Sequence, residues 1–331
     1  MDHERFAKEQ RQSVRKALSK EAVPLKLKHA QIIIQGTHQD QSSSIFWGAT
    51  SDIDLEKHPL TTWKFCHLMH GLIRDGHESV IVDSQRHLRR ISRTGDFWLN
   101  LHASGYGAVN ERYCSMICER LEFHRKYPQI PGNLIISGSV VRDLKHEPSI
   151  AFEATVDVLD QMKSLLLLPR RVFTFLDYVQ WPHNSQVQTI MAPLILVILD
   201  TVQLYALLSD LMQYLHIIYS PATLWMLRKR FQETHIQLFD FYSQARRISY
   251  ITHHVKVPDL PRFASVNLES AHYIPSIFVD AAESLISNPD RDSLPNFVDV
   301  SNSYETTPLV ILPETIIEGT DPPPYELLLP D

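Results

Sequence analysis

Residues 190–218 read IMAPLILVILDTVQLYALLSDLMQYLHII. The run from Ile190 to Met212 is as long as a membrane span, but it contains Asp200, Gln203 and Asp210. Charge at bilayer depth is costly, so a helix buried in protein is the expected state. From Pro193 to Ile218 the segment is apolar on most sides, which predicts a central core helix. An all-α fold built around it is the working expectation.

Outward from this segment, the helical period dominates and no stretch alternates strictly. Thr61 or Thr62 is expected to open a helix through Trp63, Phe65, Cys66, Leu68 and Ile73, ended by Gly76. Asp96 is expected to cap another, with Trp98, Leu101, Val109, Tyr113, Met116, Ile117 and Leu121 as one stripe stopping before Pro128. A third runs from about Ser149 to the residues before Pro169, using Phe152, Val156, Leu159 and Leu166. Ser220-Pro221 has the pattern of an N-cap followed by proline at the first helical position, ahead of Leu224, Leu227, Phe231, Leu238 and Tyr242. Short helices and short turns without a fixed repeat predict a layered solenoid or bundle.

The 331 residues are 44% hydrophobic, enough for a substantial core, and carry a net charge of −6. That charge is unevenly placed. Residues 267–331 hold twelve acidic residues and one basic residue, Arg291, so the first 266 residues carry +5. Nine of the twenty prolines also fall in 267–331. Such a composition buries too little surface to offset chain entropy, so a disordered acidic tail is expected from 266 to 331, after a helical domain at 1–265. The tail would be weakly repelled by an anionic surface that the body touched. The start, Met-Asp-His-Glu-Arg-Phe, lacks the apolar core of a secretory signal. Cys66, Cys114 and Cys118 form an odd set without CxxC spacing, and the last two lie one helical turn apart, as core packing requires. A reducing cytosol fits these features.

Four positions near the N-terminus carry chemistry: Lys16, then nine residues, then Lys26-Leu27-Lys28-His29. Pro24 places a helix start just before the second group. Unbonded N–H groups and the helix dipole make such a start attractive to anions. Three ammonium groups and an imidazole converging there suit a small, multiply phosphorylated headgroup, although a solvated basic helix face has the same spacing. Arg5, Arg11, Arg15 and Lys20 would widen the patch. A second cluster, Arg86, Arg89, Arg90 and Arg93, is expected to be an exposed, ion-paired surface. On the first helix, Phe6, Val14 and Leu18 make only a narrow stripe, expected to pack on the domain and not to insert into a bilayer.

The pattern Lys16-x9-Lys26-x-Lys28-His29 resembles the phosphoinositide signature of the ANTH domain of clathrin-coat adaptors. Trp63-Lys64-Phe65-Cys66-His67, Arg74-Asp75-Gly76-His77, Tyr127-Pro128-x-x-Pro131-Gly132-Asn133-Leu134 and Ala192-Pro193-Leu194-Ile195-x-Val197-Ile198-Leu199-Asp200 are similar to blocks of the huntingtin-interacting-protein family. Val257-Pro258-x-Leu260-Pro261 matches the place where that family's helical domain gives way to a flexible region. The resemblance spans roughly residues 5–262. It implies a right-handed α-helical solenoid that binds phosphatidylinositol bisphosphate on the cytosolic leaflet, with Lys16, Lys26, Lys28 and His29 as lipid ligands. It further implies a cytoplasmic, peripheral place at coated pits in clathrin-mediated endocytosis. Clathrin, adaptor complexes and epsin-type ENTH proteins are the partners it suggests. Full-length members continue into a coiled coil and a talin-like actin-binding region, absent from this chain, so actin binding is not expected of these residues. A fragment, a short isoform and a truncated gene product all fit that ending.

The tail carries short motifs. Pro322-Pro323-Pro324-Tyr325 matches PPxY, a ligand for a WW-domain protein, with Pro322, Pro323 and Tyr325 as its defining residues. Tyr325-Glu326-Leu327-Leu328 fits a YxxΦ sorting signal, read through Tyr325 and Leu328. Leu327-Leu328-Leu329-Pro330-Asp331 approximates a clathrin box with proline where a bulky apolar residue is expected. A helical protein scaffold recruited through this tail, without lipid, is the competing reading. Seventeen histidines raise the question of metal, notably His67, His70 and His77. His67-x-x-His70 lacks the glutamate of a zincin, and His253-His254 has no nearby carboxylate. With ten glycines and no P-loop, GxSxG elbow or dinucleotide fingerprint, neither catalytic residues, cofactor, metal nor nucleic acid is expected.

Overall fold

A computed structural model describes residues 2–101, 105–178 and 184–260. Among these residues the chain is helical and without strand. The helices are α1 (Asp2–Ala17), α2 (Leu27–Asp40), α3 (Ser44–Ser51), α4 (Pro59–Asp75) and α5 (Ser79–Ser84). After a 3-10 turn (Gln85–His87) come α6 (Leu88–Leu101), α7 (Tyr106–Lys126), α8 (Gly138–Leu144) and α9 (Pro148–Tyr178). The series ends with α10 (Asn184–Met191), α11 (Pro193–Ile218), α12 (Trp225–Ala245) and α13 (Ser249–His254). Neighbouring helices stack in layers: α1 on α2 and α3, α4 on α7, α6 on α7, and α9 against α7, α11 and α12. The PPxY and YxxΦ motifs at 322–328 lie outside the described residues.

The helix α11 is the central core element that its composition predicts. The most apolar window of the 185–218 stretch is 83% buried inside the protein. Its two carboxylates have different partners. Asp210 pairs with Lys145 at 2.6 Å. Asp200 is fully buried and joins three helices: His70 Nε2 lies 2.8 Å from one oxygen, Arg120 Nη2 3.3 Å from the same one, and Arg74 Nη1 bonds the other. Burial alone would raise the Asp200 carboxyl, but Arg120, Arg74 and His70 outweigh it and hold its pKa below the ordinary carboxylate range. Burial also keeps His70 neutral. An ionised carboxylate only accepts, so His70 Nε2–H donates to Asp200 and His70 Nδ1 accepts from Tyr113 Oη at 3.2 Å. His70 is thus a core histidine with both nitrogens engaged.

Four helix boundaries differ from those expected. The helix α4 starts at Pro59, behind an N-cap at His58. Thr62 is inside it, with its hydroxyl accepting Trp98 Nε1–H at 2.9 Å. The stripe from Trp98 to Leu121 belongs to two helices: Asp96 is inside α6, and α7 begins after Gly105, whose φ of +60° is costly for any residue with a Cβ. Leu101 is 52% exposed and not part of the core. The helix α9 passes through Pro169, which lacks an N–H donor and crowds the preceding turn. Beyond it, Phe175 packs on Tyr106 with ring centroids 4.9 Å apart and Phe173 on Phe241 at 6.3 Å, which hold the last turns helical. Ser220 caps a turn at 221–224, its Oγ accepting Thr223 N–H at 3.3 Å, and α12 begins only at Trp225. The expected end at Gly76 is found, with its N–H bonded to Leu72 O at 2.9 Å.

Candidate functional site

The four signature positions cluster around one connection. Lys16 is in the last turn of α1 and Lys26 is the N-cap of α2. Lys28 and His29 are in the first turn of α2. Val14 and Leu18 are buried, and a Cβ at Gly36 would collide with Gln10, so α1 lies close on α2. Leu25 and Pro24 are buried too, which anchors the chain as it enters α2. Lys26 supplies no side-chain cap and the first turn holds no carboxylate; the His29 N–H bonds Lys26 O at 3.0 Å, which leaves the N–H groups of Leu27 and Lys28 and the helix dipole without a side-chain partner.

Lys16, Lys26 and Lys28 are exposed, and His29 is 9% exposed beside them. Burial lowers the His29 pKa first, and Lys28, Lys16 and Lys26 lower it further, so the ring is neutral at pH 7. Among the described residues, the three lysines enter no ion pair, whereas neighbouring Arg15 lies 3.3 Å from Asp52. Arg5 and Arg11 on α1 and Lys20 in the connection are exposed. His29 Nδ1 is buried without a hydrogen-bond partner.

One residue of the site was not evident from spacing. Lys64 of α4 is 1% exposed, and its Nζ donates to Ser19 O (3.0 Å), Ser19 Oγ (3.2 Å) and Glu21 O (2.6 Å) in the α1–α2 connection. The second arginine cluster is divided. Arg90 is half-buried and donates to Thr50 O at 2.5 Å and Ile53 O at 3.5 Å, tying α6 to the end of α3. Arg86, Arg89 and Arg93 are exposed. An open cleft of about 680 Å³ lies between α7 and α9, but its charges neutralise one another, as in Arg112–Glu119 (2.5 Å) and Lys126–Asp157 (2.6 Å). It offers no net positive field for a polyanion.

The model of the ANTH domain family matches residues 9–274. The chain is 41% identical over 272 residues to Huntington interacting protein related 1 of Caenorhabditis elegans, a match covering 80% of this chain and 29% of that protein. It is 31% identical over 297 residues to Huntingtin-interacting protein 1 of Homo sapiens, covering 88% of this chain and 28% of that one. The chain therefore spans under a third of the length of either relative. The fold is similar to that of the ENTH domain from epsin-2, solved in complex with phosphatidylinositol 4,5-bisphosphate, with a TM-score of 0.72 at 20% identity over 78% of this chain and 100% of that domain. At that identity the likeness establishes the fold. With its basic α1–α2 connection and a family match over most of its length, the chain belongs to the ANTH domain family and is related to the huntingtin-interacting proteins.

Proposed function

We propose that the chain is a phosphoinositide-binding module of an endocytic adaptor, docking on the cytosolic leaflet through Lys16, Lys26, Lys28 and His29. The observation that carries this reading is the placement of three exposed lysines, in no ion pair among the described residues, at the end of α1 and at a helix start without side-chain cap or first-turn carboxylate. Phosphate oxygens would take charge-assisted bonds from the lysines and further bonds from the N–H groups of Leu27 and Lys28 at the start of α2. The epsin-2 domain of the same fold was solved with such a lipid, which supports the assignment.

Each lysine near an anionic leaflet contributes about 1 kcal/mol, so three supply ~3 kcal/mol before specific phosphate contacts. Binding by one copy is therefore weak and salt-sensitive, and lasting recruitment needs several copies or several partners. The buried stripe of α1 favours docking on the surface over insertion. The domain is assigned to residues 1–265, and 266–331 is assigned as an acidic segment that carries partner motifs. Family membership supports a role at the plasma membrane and in clathrin-coated pits, with clathrin or adaptor complexes as the proposed partners.

Vesicle co-sedimentation tests the reading. The wild-type chain is expected to pellet with vesicles containing phosphatidylinositol 4,5-bisphosphate, and Lys26→Glu with Lys28→Glu to stay in the supernatant. Equal behaviour of the two would overturn the lipid assignment in favour of a protein scaffold.

A further inference from the structure

Lysine is among the residues least often fully buried, and burying its charge costs several kcal/mol unless hydrogen bonds and nearby charge offset it. Lys64 is buried nonetheless, and three acceptors, Ser19 O, Ser19 Oγ and Glu21 O, meet its three ammonium hydrogens. All three belong to the short connection between Lys16 and Lys26. A methionine would fill the same slot without the desolvation cost, so packing alone does not explain the ammonium.

We infer that Lys64 is a positioning residue for the headgroup site: by tying the α1–α2 connection to α4, it sets the spacing of Lys16 from Lys26 and Lys28. This inference rests on the lipid-binding reading above. Nothing places Lys64 against the headgroup itself; it acts through the loop.

The same contacts couple the site to protons. Burial lowers the Lys64 pKa to about 8, with Glu21 opposing the shift and Lys26 adding to it. His58, the N-cap of α4, faces the same region and is kept neutral by burial, Lys20 and Lys64. A polyanion resting on Lys26 offsets the repulsion that Lys64 feels, so its pKa is higher in the bound state. The coupled part of binding is then complete below the free-state value and is lost as pH rises through the bound-state value. Headgroup binding near pH 8 must take up part of a proton.

The test is calorimetric titration of the full chain with phosphatidylcholine vesicles, with and without phosphatidylinositol 4,5-bisphosphate, from about pH 7 to about pH 9 in buffers of different ionisation enthalpy. Lys64→Met removes the ammonium and keeps the stem, and circular dichroism reports whether it folds. The folded variant is expected to bind about tenfold more weakly at pH 7, equivalent to about 1.4 kcal/mol. Its remaining pH dependence should be that of the headgroup phosphates alone, and the wild-type chain should show additional proton uptake at pH 8. A folded Lys64→Met with wild-type affinity and proton uptake overturns the inference and leaves the lipid reading intact. If the variant fails to fold, the wild-type chain decides: uptake that includes no lysine contribution beyond the headgroup's own titration overturns the inference. A wild-type chain that ignores the vesicles refutes both.

Discussion

Replacing Asp200 with asparagine tests the buried polar network at the centre of the core. The carboxylate accepts from His70, Arg74 and Arg120, all within a region where Asp200, His70 and Arg120 side chains are 0% exposed and Arg74 5%. Several neighbouring donors, Arg74 Nε and Arg120 Nε and Nη1, are already without partners. Asparagine has one carbonyl for three donors and removes the charge that two buried guanidiniums share. Breaking a buried pair in this way costs about 3–5 kcal/mol. With roughly 2–4 °C of Tm per kcal/mol for a domain of this class, the melting temperature should fall by ~6–20 °C. Thermal unfolding followed by helical circular dichroism measures it. Asp52→Asn is the control, because the Arg15–Asp52 pair has the same chemistry with both side chains 63% exposed. That change should move Tm by no more than about 1–2 °C. If Asp200→Asn lowers Tm as little as Asp52→Asn does, the buried network does not stabilise the α4–α7–α11 assembly and the argument fails.

Two glycines should respond oppositely to alanine. A Cβ at Gly132 would sit 1.8 Å from Ile73 O, so Gly132→Ala is expected to destabilise by about 1–3 kcal/mol or more. Gly48 in α3 has nothing within 4 Å, and Gly48→Ala should stabilise by up to ~1 kcal/mol, both read from urea midpoints. Acid should weaken the fold: burial first, then His70 for His67 and Arg120 for His124, depresses both imidazoles to about 3. Their contribution is complete above the unfolded value near 6.5 and is lost towards 3 as the unfolded chain takes up protons, ~1.4 kcal/mol per pH unit for each. A urea midpoint that is the same at pH 7 and pH 5 would contradict this. Arg90→Ala should cost stability through the lost guanidinium bonds to Thr50 O and Ile53 O, whereas Arg89→Ala on the exposed face should be near neutral by the same measurement.

What the sequence makes legible is local. The signature from Lys16 to His29 surrounds a single connection, so its spacing in the chain is close to its spacing in space. The apolar run at 193–218 declares a core helix because composition alone decides its burial. Long-range polar partners are not legible in this way. Asp200 argues against a membrane span from sequence, yet its partners are His70 and Arg74 on α4, 130 and 126 residues away, and Arg120 on α7. The role of Lys64 is not legible because two of its three acceptors are backbone carbonyls, which every residue has. The helix ends failed where tertiary contacts override propensity. The aromatic contacts of Phe173 and Phe175 hold α9 helical past Pro169, and Ser220-Pro221 uses its capping chemistry on a turn before α12.

Hydrogen–deuterium exchange of the full chain, with and without vesicles containing phosphatidylinositol 4,5-bisphosphate, locates the contact most directly. Slower exchange is expected across residues 16–29, strongest at the start of α2, and absent with phosphatidylcholine alone. Protection centred on Arg86–Arg93 or the α7–α9 cleft, or no protection at all under conditions where the chain is folded, would contradict the assignment of the headgroup site.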